Sequence, residues 1–143
     1  MMRWLLVVLA LAGAVVSALA LQVHYSTGTE PCSINERWDC GVVNHSPFAV
    51  MGKVPVAAIG IAGYLALGAL ALWRQRFALH VAALVGLVFA LRLTFIEKYD
   101  LLVWCLYCVI SQGIIALMVL LSLGWLGAEY WRLRRAAAAL IKL

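Results

Sequence analysis

The chain has 143 residues, 66% of them hydrophobic and only 12% charged, with a formal net charge of +5. An ordinary soluble domain carries about 25% charged residues, so the composition excludes a soluble core and leaves a multi-span membrane protein. The basic residues flank apolar runs and form no continuous stripe, which argues against nucleic acid as a partner.

The first apolar run covers residues 4–23 and follows Arg3. Ala18-Leu19-Ala20 looks like a signal-peptide cleavage site, but at about 1.5 Å per residue the run is long enough to cross a bilayer. Ala10, Ala14 and Ala18 recur every four residues, which predicts a close-packing face and favours retention of the segment. Residues 24–53 are the one long polar stretch. Gly28, Pro31, Gly41, Pro47 and Gly52 punctuate it, so it is expected as a loop with at most short helices. The second run, 54–73, starts with Pro55 in a first helical turn, where its missing N–H costs nothing. Ala58, Ala62 and Ala66, with Gly60 and Gly63, predict its packing face. Arg74-Gln75-Arg76 is a tight basic connection to the third run, 77–96, near whose end Arg92 can snorkel to the headgroups. Glu97-Lys98-Tyr99-Asp100 reads as a short turn before the fourth run, 102–126. The tail, 127–143, carries Arg132, Arg134, Arg135 and Lys142, and Ala136 to Ala139 extend a helix there.

These runs predict one domain, 1–143: an all-α membrane protein, a four-transmembrane-helix bundle with an extracytoplasmic capping loop between its first two spans. Four spans put both termini on one side. That side holds Arg3, Arg74, Arg76, Arg132, Arg134, Arg135 and Lys142, with Glu129 its only acid. The positive-inside rule therefore places the termini in the cytoplasm. Trp4, Trp73, Trp125 and Trp131 then mark the inner interface, and Tyr25, Tyr99 and Trp104 the outer one. All four cysteines fall at the outer face, an independent agreement with a topology read from arginines.

Cys105 and Cys108 form a C-x-x-C pair at the mouth of the fourth run and share a face if helical. A dithiol at a helix N-terminus is favoured as thiolate by the helix dipole. Cys32 and Cys40, eight apart on the loop, could reach disulfide distance. Alone they could be a structural staple. Beside a second pair they could also exchange a disulfide with it. Four-thiolate zinc is a poorer reading, because zinc sites favour two short hooks and one spacing here is wide. Cys108 lies roughly one turn inside the membrane boundary, where a lipid-soluble oxidant such as a quinone can meet it. Ser111 and Gln112 follow at i+3 and i+4. They could hydrogen-bond a quinone carbonyl or hold helices together. Ser46 fits a turn or N-cap, and His24 and His45 fit an interfacial or solvated setting.

The ordered set resembles the vitamin K epoxide reductase family, bacterial branch. Its four cysteines and loop serine match Cys32, Cys40, Ser46, Cys105 and Cys108. Phe48-Ala49-Val50-Met51-Gly52-Lys53-Val54-Pro55, with Gly60 and Tyr64 following, looks like that family's approach to the second span. The resemblance covers about residues 32–112. It implies a four-helix bundle around a quinone, ubiquinone or menaquinone, with Ser46, Phe48, Val56, Ser111 and Gln112 as the quinone-side residues and no metal. It further implies that an extracytoplasmic thioredoxin-like (DsbA-type) protein attacks Cys32, that freed Cys40 attacks Cys105, and that Cys108 reduces the quinone. No fused thioredoxin-like domain is present, so the partner is expected to be a separate protein, and the place a bacterial inner (cytoplasmic) membrane. Animal members that reduce the epoxide carry an Asn and a Tyr where Val56 and Gln112 stand, which favours plain quinone reduction. The DsbB type, another disulfide-generating membrane family, has the two cysteine spacings in the opposite order. A third reading is a non-enzymatic membrane subunit with structural disulfides.

Overall fold

The structure is a computed structural model that describes residues 1–141; Lys142 of the expected basic tail lies outside the described residues. Four long helices carry the fold: α1 (Met2–Tyr25), α3 (Val56–Leu72), α4 (Arg76–Ile96) and α5 (Leu106–Ile141). The short α2 (Cys40–Asn44) lies in the connection from α1 to α3. Three of them, α1, α4 with its continuation to Leu101, and α5, are long and apolar enough to cross a membrane, while α3 is apolar but has 17 residues. At 1.5 Å per residue α3 reaches about 26 Å, just short of a typical hydrocarbon thickness.

The ends of these helices differ from the expected ones for local reasons. Residues 54 and 55 do not open α3. Val54–Pro55 (β2) pairs antiparallel with Val50–Met51 (β1), turning at Gly52 with φ of 69°. Only glycine takes that turn without strain. Helix α4 does not stop at a loose turn but widens into a π turn, Glu97–Leu101, ended by Leu102 in the left-handed region at φ 57°. The fourth helix therefore begins at Leu106 rather than at 102, and Cys105 stands just before it. It then continues unbroken through the tail to Ile141.

Helix α1 packs on α3 and α5, and α4 on α5 and α3. The core between them holds Leu6, Leu67, Leu79, Ala83, Ile115 and Met118. The expected small-residue faces are used in part: Ala10 is buried, Ala14 packs on the core and Gly60 is in close contact, but the remaining alanines are not buried. Ala18 is exposed, and the buried stripe of α1 is Leu6, Ala10, Gly13, Ser17 and Ala20. A strict four-residue step drifts around a helix of 3.6 residues per turn, whereas steps of three and four stay on one face. On α3, Ala62 and Ala66 are likewise exposed, and Tyr64, Leu67 and Ala71 are buried. The small residues that count are Gly13 and Gly60. A Cβ on Gly13 would sit 2.3 Å from the Tyr64 ring, and one on Gly60 2.9 Å from Ser17 Oγ.

Polar side chains stitch the helices inside this apolar frame. His80 Nδ1 lies 2.8 Å from Ser122 Oγ, and the Thr94 hydroxyl bonds Gln112 Oε1. At one end, Arg3, Arg74, Arg76 and Arg132 surround a cleft with Trp4, Trp125 and Glu129. Arg76 pairs with Glu129 and stacks over the Trp125 ring at 4.8 Å. Since α1 begins at that cleft and ends beside α2, the cysteines occupy the opposite end of the bundle.

Candidate functional site

The loop is built to hold its cysteines against the C-x-x-C segment. Asp39 caps α2: its Oδ1 accepts the amides of Gly41 at 2.9 Å and Val42 at 3.2 Å, and the Ser33 hydroxyl at 2.7 Å. The Ser33 hydrogen bond foremost, helped by those amides and the nearby His45 and opposed by partial burial, holds the Asp39 carboxyl below the usual carboxylate range. The loop backbone docks on the other cysteine segment through two hydrogen bonds: Trp104 N–H to Arg37 O at 2.8 Å, and Asp39 N–H to Trp104 O at 3.0 Å. The Trp38 and Trp104 rings lie 6.3 Å apart over this joint. His45 secures the far side of the loop, with Nε2 3.0 Å from Ser26 O and Nδ1 2.8 Å from Gly41 O. His24 Nδ1 sits 2.5 Å from Asn44 O. The two histidines, expected to be interfacial or solvated, thus tie the loop to the end of α1.

Cys32 and Cys40 are joined as a disulfide, with Cα atoms 5.7 Å apart. Cys105 and Cys108 are free thiols. Cys32, Cys40 and Cys105 belong to one buried cluster with Val23 and Val43, and Cys108 packs against it. With two sulfurs bonded to each other, the four-thiolate zinc set is not assembled. Asn44, 6% exposed, bridges the pairs: its Nδ2 donates to Cys40 O at 2.9 Å and approaches Cys105 Sγ at 3.6 Å. Glu97, 2% exposed, caps the start of α5, its Oε2 accepting the Cys105 amide at 3.1 Å.

Beneath the sulfurs lies a cavity of about 450 Å³, walled largely by apolar residues of α1, α3 and α4. That is within the usual size for a small-molecule site. Of the residues singled out in the sequence, Ser46, Phe48, Val56, Cys108 and Ser111 line it. Ser46 is buried, its hydroxyl donating to Val43 O at 2.7 Å, so it shapes the turn that roofs the cavity. Gln112 is not on the wall and is bonded instead to Thr94 of α4. Tyr64 stands on the wall, with Oη 2.7 Å from Ser111 O and 2.8 Å from Ser111 Oγ. Tyr64 Oη can hold its own hydrogen on the carbonyl, which leaves the Ser111 hydroxyl free to turn toward a ligand.

Sequence reasoning passed over Asn44, Glu97 and the placement of Tyr64. Asn44 lies four residues after Cys40, a spacing that shares a helical face. Glu97 reads as part of a short turn, although an ionisable residue at the end of an apolar helix is a functional candidate by default. Tyr64 is placed by its contact with Gly13, which no local pattern reveals.

The model of the vitamin K epoxide reductase family matches residues 4–123. No curated protein matches the chain.

Proposed function

The chain belongs to the vitamin K epoxide reductase family, and from that premise we propose that it is a membrane thiol:quinone oxidoreductase that sustains disulfide formation. The observation that carries this reading is the single buried cluster holding both cysteine pairs, bridged by Asn44. A disulfide staple alone would need neither the second pair nor the shared amide.

In this reading a reduced, extracytoplasmic thioredoxin-like (DsbA-type) protein attacks Cys32. Because Cys32 is only 3% exposed, the loop must lift at its histidine ties before that attack. Cys40 leaves as thiolate and, once Cys105 and Cys108 have given two electrons to the acceptor and closed as a disulfide, attacks Cys105, next to it in the cluster; a Cys40–Cys105 bond forms, the Cys105–Cys108 bond breaks and Cys108 leaves as thiolate. Asn44 follows both sulfur segments and stabilises negative charge on Cys105. Cys108, on the cavity wall, faces the electron acceptor. A quinone, as second substrate, accepts two electrons and two protons. The cavity suits one: its walls are apolar, and Ser111 offers a hydroxyl and Glu97 an unpartnered oxygen. Ser46, Phe48 and Val56 would hold it, and the apolar Val56 suits a quinone better than an epoxide. Gln112 would act one layer behind, through Thr94. We place the protein with four spans in a bacterial inner membrane, its arginine-rich end in the cytoplasm and its cysteines outside.

The test is electron transfer in the purified protein. A reduced thioredoxin-like protein should reduce ubiquinone or menaquinone through it, and Cys105→Ala should stop the transfer while the fold survives. If no reduced thiol protein drives quinone reduction, or if Cys105→Ala leaves the rate unchanged, the reading is wrong.

A further inference from the structure

Glu97 Oε1 is the buried side-chain oxygen without a hydrogen-bond partner among the described residues. Its twin, Oε2, is committed to the Cys105 amide at 3.1 Å. Glu97 and Cys108 line the same cavity, and Cys108 stands one turn after the amide that Glu97 caps. A buried carboxyl is costly unless its environment uses it. Here one oxygen is held by an amide while the other stays open toward the cavity it shares with Cys108, the arrangement of a group that can take up and release a proton.

No other titratable group around the cavity is a carboxyl: the rest are a histidine, two tyrosines and two cysteines. They are His24 from α1, Tyr64 from α3, and Cys105, Tyr107 and Cys108 at the start of α5. His24 sits on the Asn44 carbonyl, and Tyr64 on Ser111. The wall of α4 contributes Ala82, Val85, Gly86, Phe89, Ala90 and Leu93, none of which titrates. Lys98 and Asp100 of the π turn are exposed.

We propose that Glu97 is the proton-transfer residue of this site, taking the Cys108 thiol proton through Oε1 and passing it to the electron acceptor. The proposal rests on the oxidoreductase reading above. In the step, the Cys105 and Cys108 S–H bonds break and a Cys105–Cys108 S–S bond forms. The electron pair goes to the quinone and both protons end on its oxygens, the one from Cys108 by way of Glu97. Through Oε2 the same side chain holds the Cys105 amide, so proton transfer and the geometry of the dithiol are set by one residue.

The test uses the full chain in lipid vesicles, reduced with dithiothreitol, freed of reductant and mixed with a short-chain ubiquinone. Glu97→Gln keeps an oxygen for the Cys105 amide but cannot carry a proton. It should slow single-turnover quinone reduction on the order of a hundredfold, while Glu97→Asp recovers part of the rate. A second readout needs no quinone: the pH profile of Cys108 alkylation by iodoacetamide, located by peptide mass. In the parent protein that rate should follow two ionisations, and in Glu97→Gln one. A Glu97→Gln rate within about twofold of the parent, or superimposable alkylation profiles, overturns the proposal. If the parent itself passes no electrons to quinone, the oxidoreductase reading fails. The alkylation profiles then still decide whether Glu97 exchanges a proton with Cys108.

Discussion

Asn44→Ala separates the two hydrogen bonds of one amide. The donation to Cys40 O at 2.9 Å touches no sulfur, so its loss should appear as lost stability. Cys40 O keeps the backbone amide of Asn44 in α2 as a partner, so the loss is that of one ordinary hydrogen bond, about 0.5–1.5 kcal/mol. The approach to Cys105 Sγ at 3.6 Å favours the reduced, anionic sulfur over the disulfide, so its loss appears in the reduction potential. A hydrogen bond to a charged group contributes about 1.5 kcal/mol at the low end, and 30 mV corresponds to about 1.4 kcal/mol for this two-electron couple. The Cys105/Cys108 pair in Asn44→Ala should therefore be about 30 mV more negative than in the parent, because its reduced form has lost support. The assay is equilibration against graded dithiothreitol buffers, acid quench and mass-resolved alkylation of each cysteine; thermal unfolding in detergent reads the stability part. Asn44→Asp, which sets a carboxylate against the sulfur, should move the potential further in the same direction. An unchanged potential in Asn44→Ala, or a shift to more positive values, would refute Asn44 as the group that supports reduced Cys105.

Two further outcomes follow from packing and charge. Gly13→Ala puts a Cβ 2.3 Å from the Tyr64 ring, where carbon atoms need about 3.5–4.0 Å, so the ring must shift by more than 1 Å and leave Ser111. We expect a loss of about 1–3 kcal/mol in thermal unfolding; in a Tyr64→Ala background the same change should cost little more than Tyr64→Ala alone. Asp39 is held below the usual carboxylate range in the folded loop, first by Ser33 and then by the α2 amides. Its contribution is therefore fully present above the unfolded value and is lost as pH falls through the depressed one. The protection of the Gly41 and Val42 amides, exchange measured against the intrinsic rate at each pH, should fall on acidification below about pH 4, and Asp39→Asn should remove that pH dependence.

Hydropathy alone exposed the long apolar runs, because twenty apolar residues in a row leave little other reading. The sulfur chemistry was visible for a similar reason: C-x-x-C and a wider pair are rare enough to stand out. What stayed hidden depends on contacts between distant segments. Of the Ala10, Ala14 and Ala18 stripe, Ala10 is buried and Ala14 packs on the core, yet Ala18 faces out and the closest contacts fall on Gly13 and Ser17, since only the partner helix decides which face is inner. Pro55 fits a helix start by propensity, but the hairpin with Val50 and Met51 claims the two residues before Val56. Glu97 has no periodic signature, and its importance comes from Leu102 turning the chain so that Cys105 returns to it.

Helix α5 runs without a break from the residue after Cys105 to Ile141. From Cys108 to Arg135 that is 27 steps, or about 40 Å at helical rise. Such a rod is a molecular ruler: a probe fixed on its exposed far turns keeps a constant bearing to the thiols at its head. Displacement of the loop in the proposed cycle is thus open to timing by spectroscopic distance from a label at Arg135 to one at Glu36, exposed on the loop, without touching any sulfur.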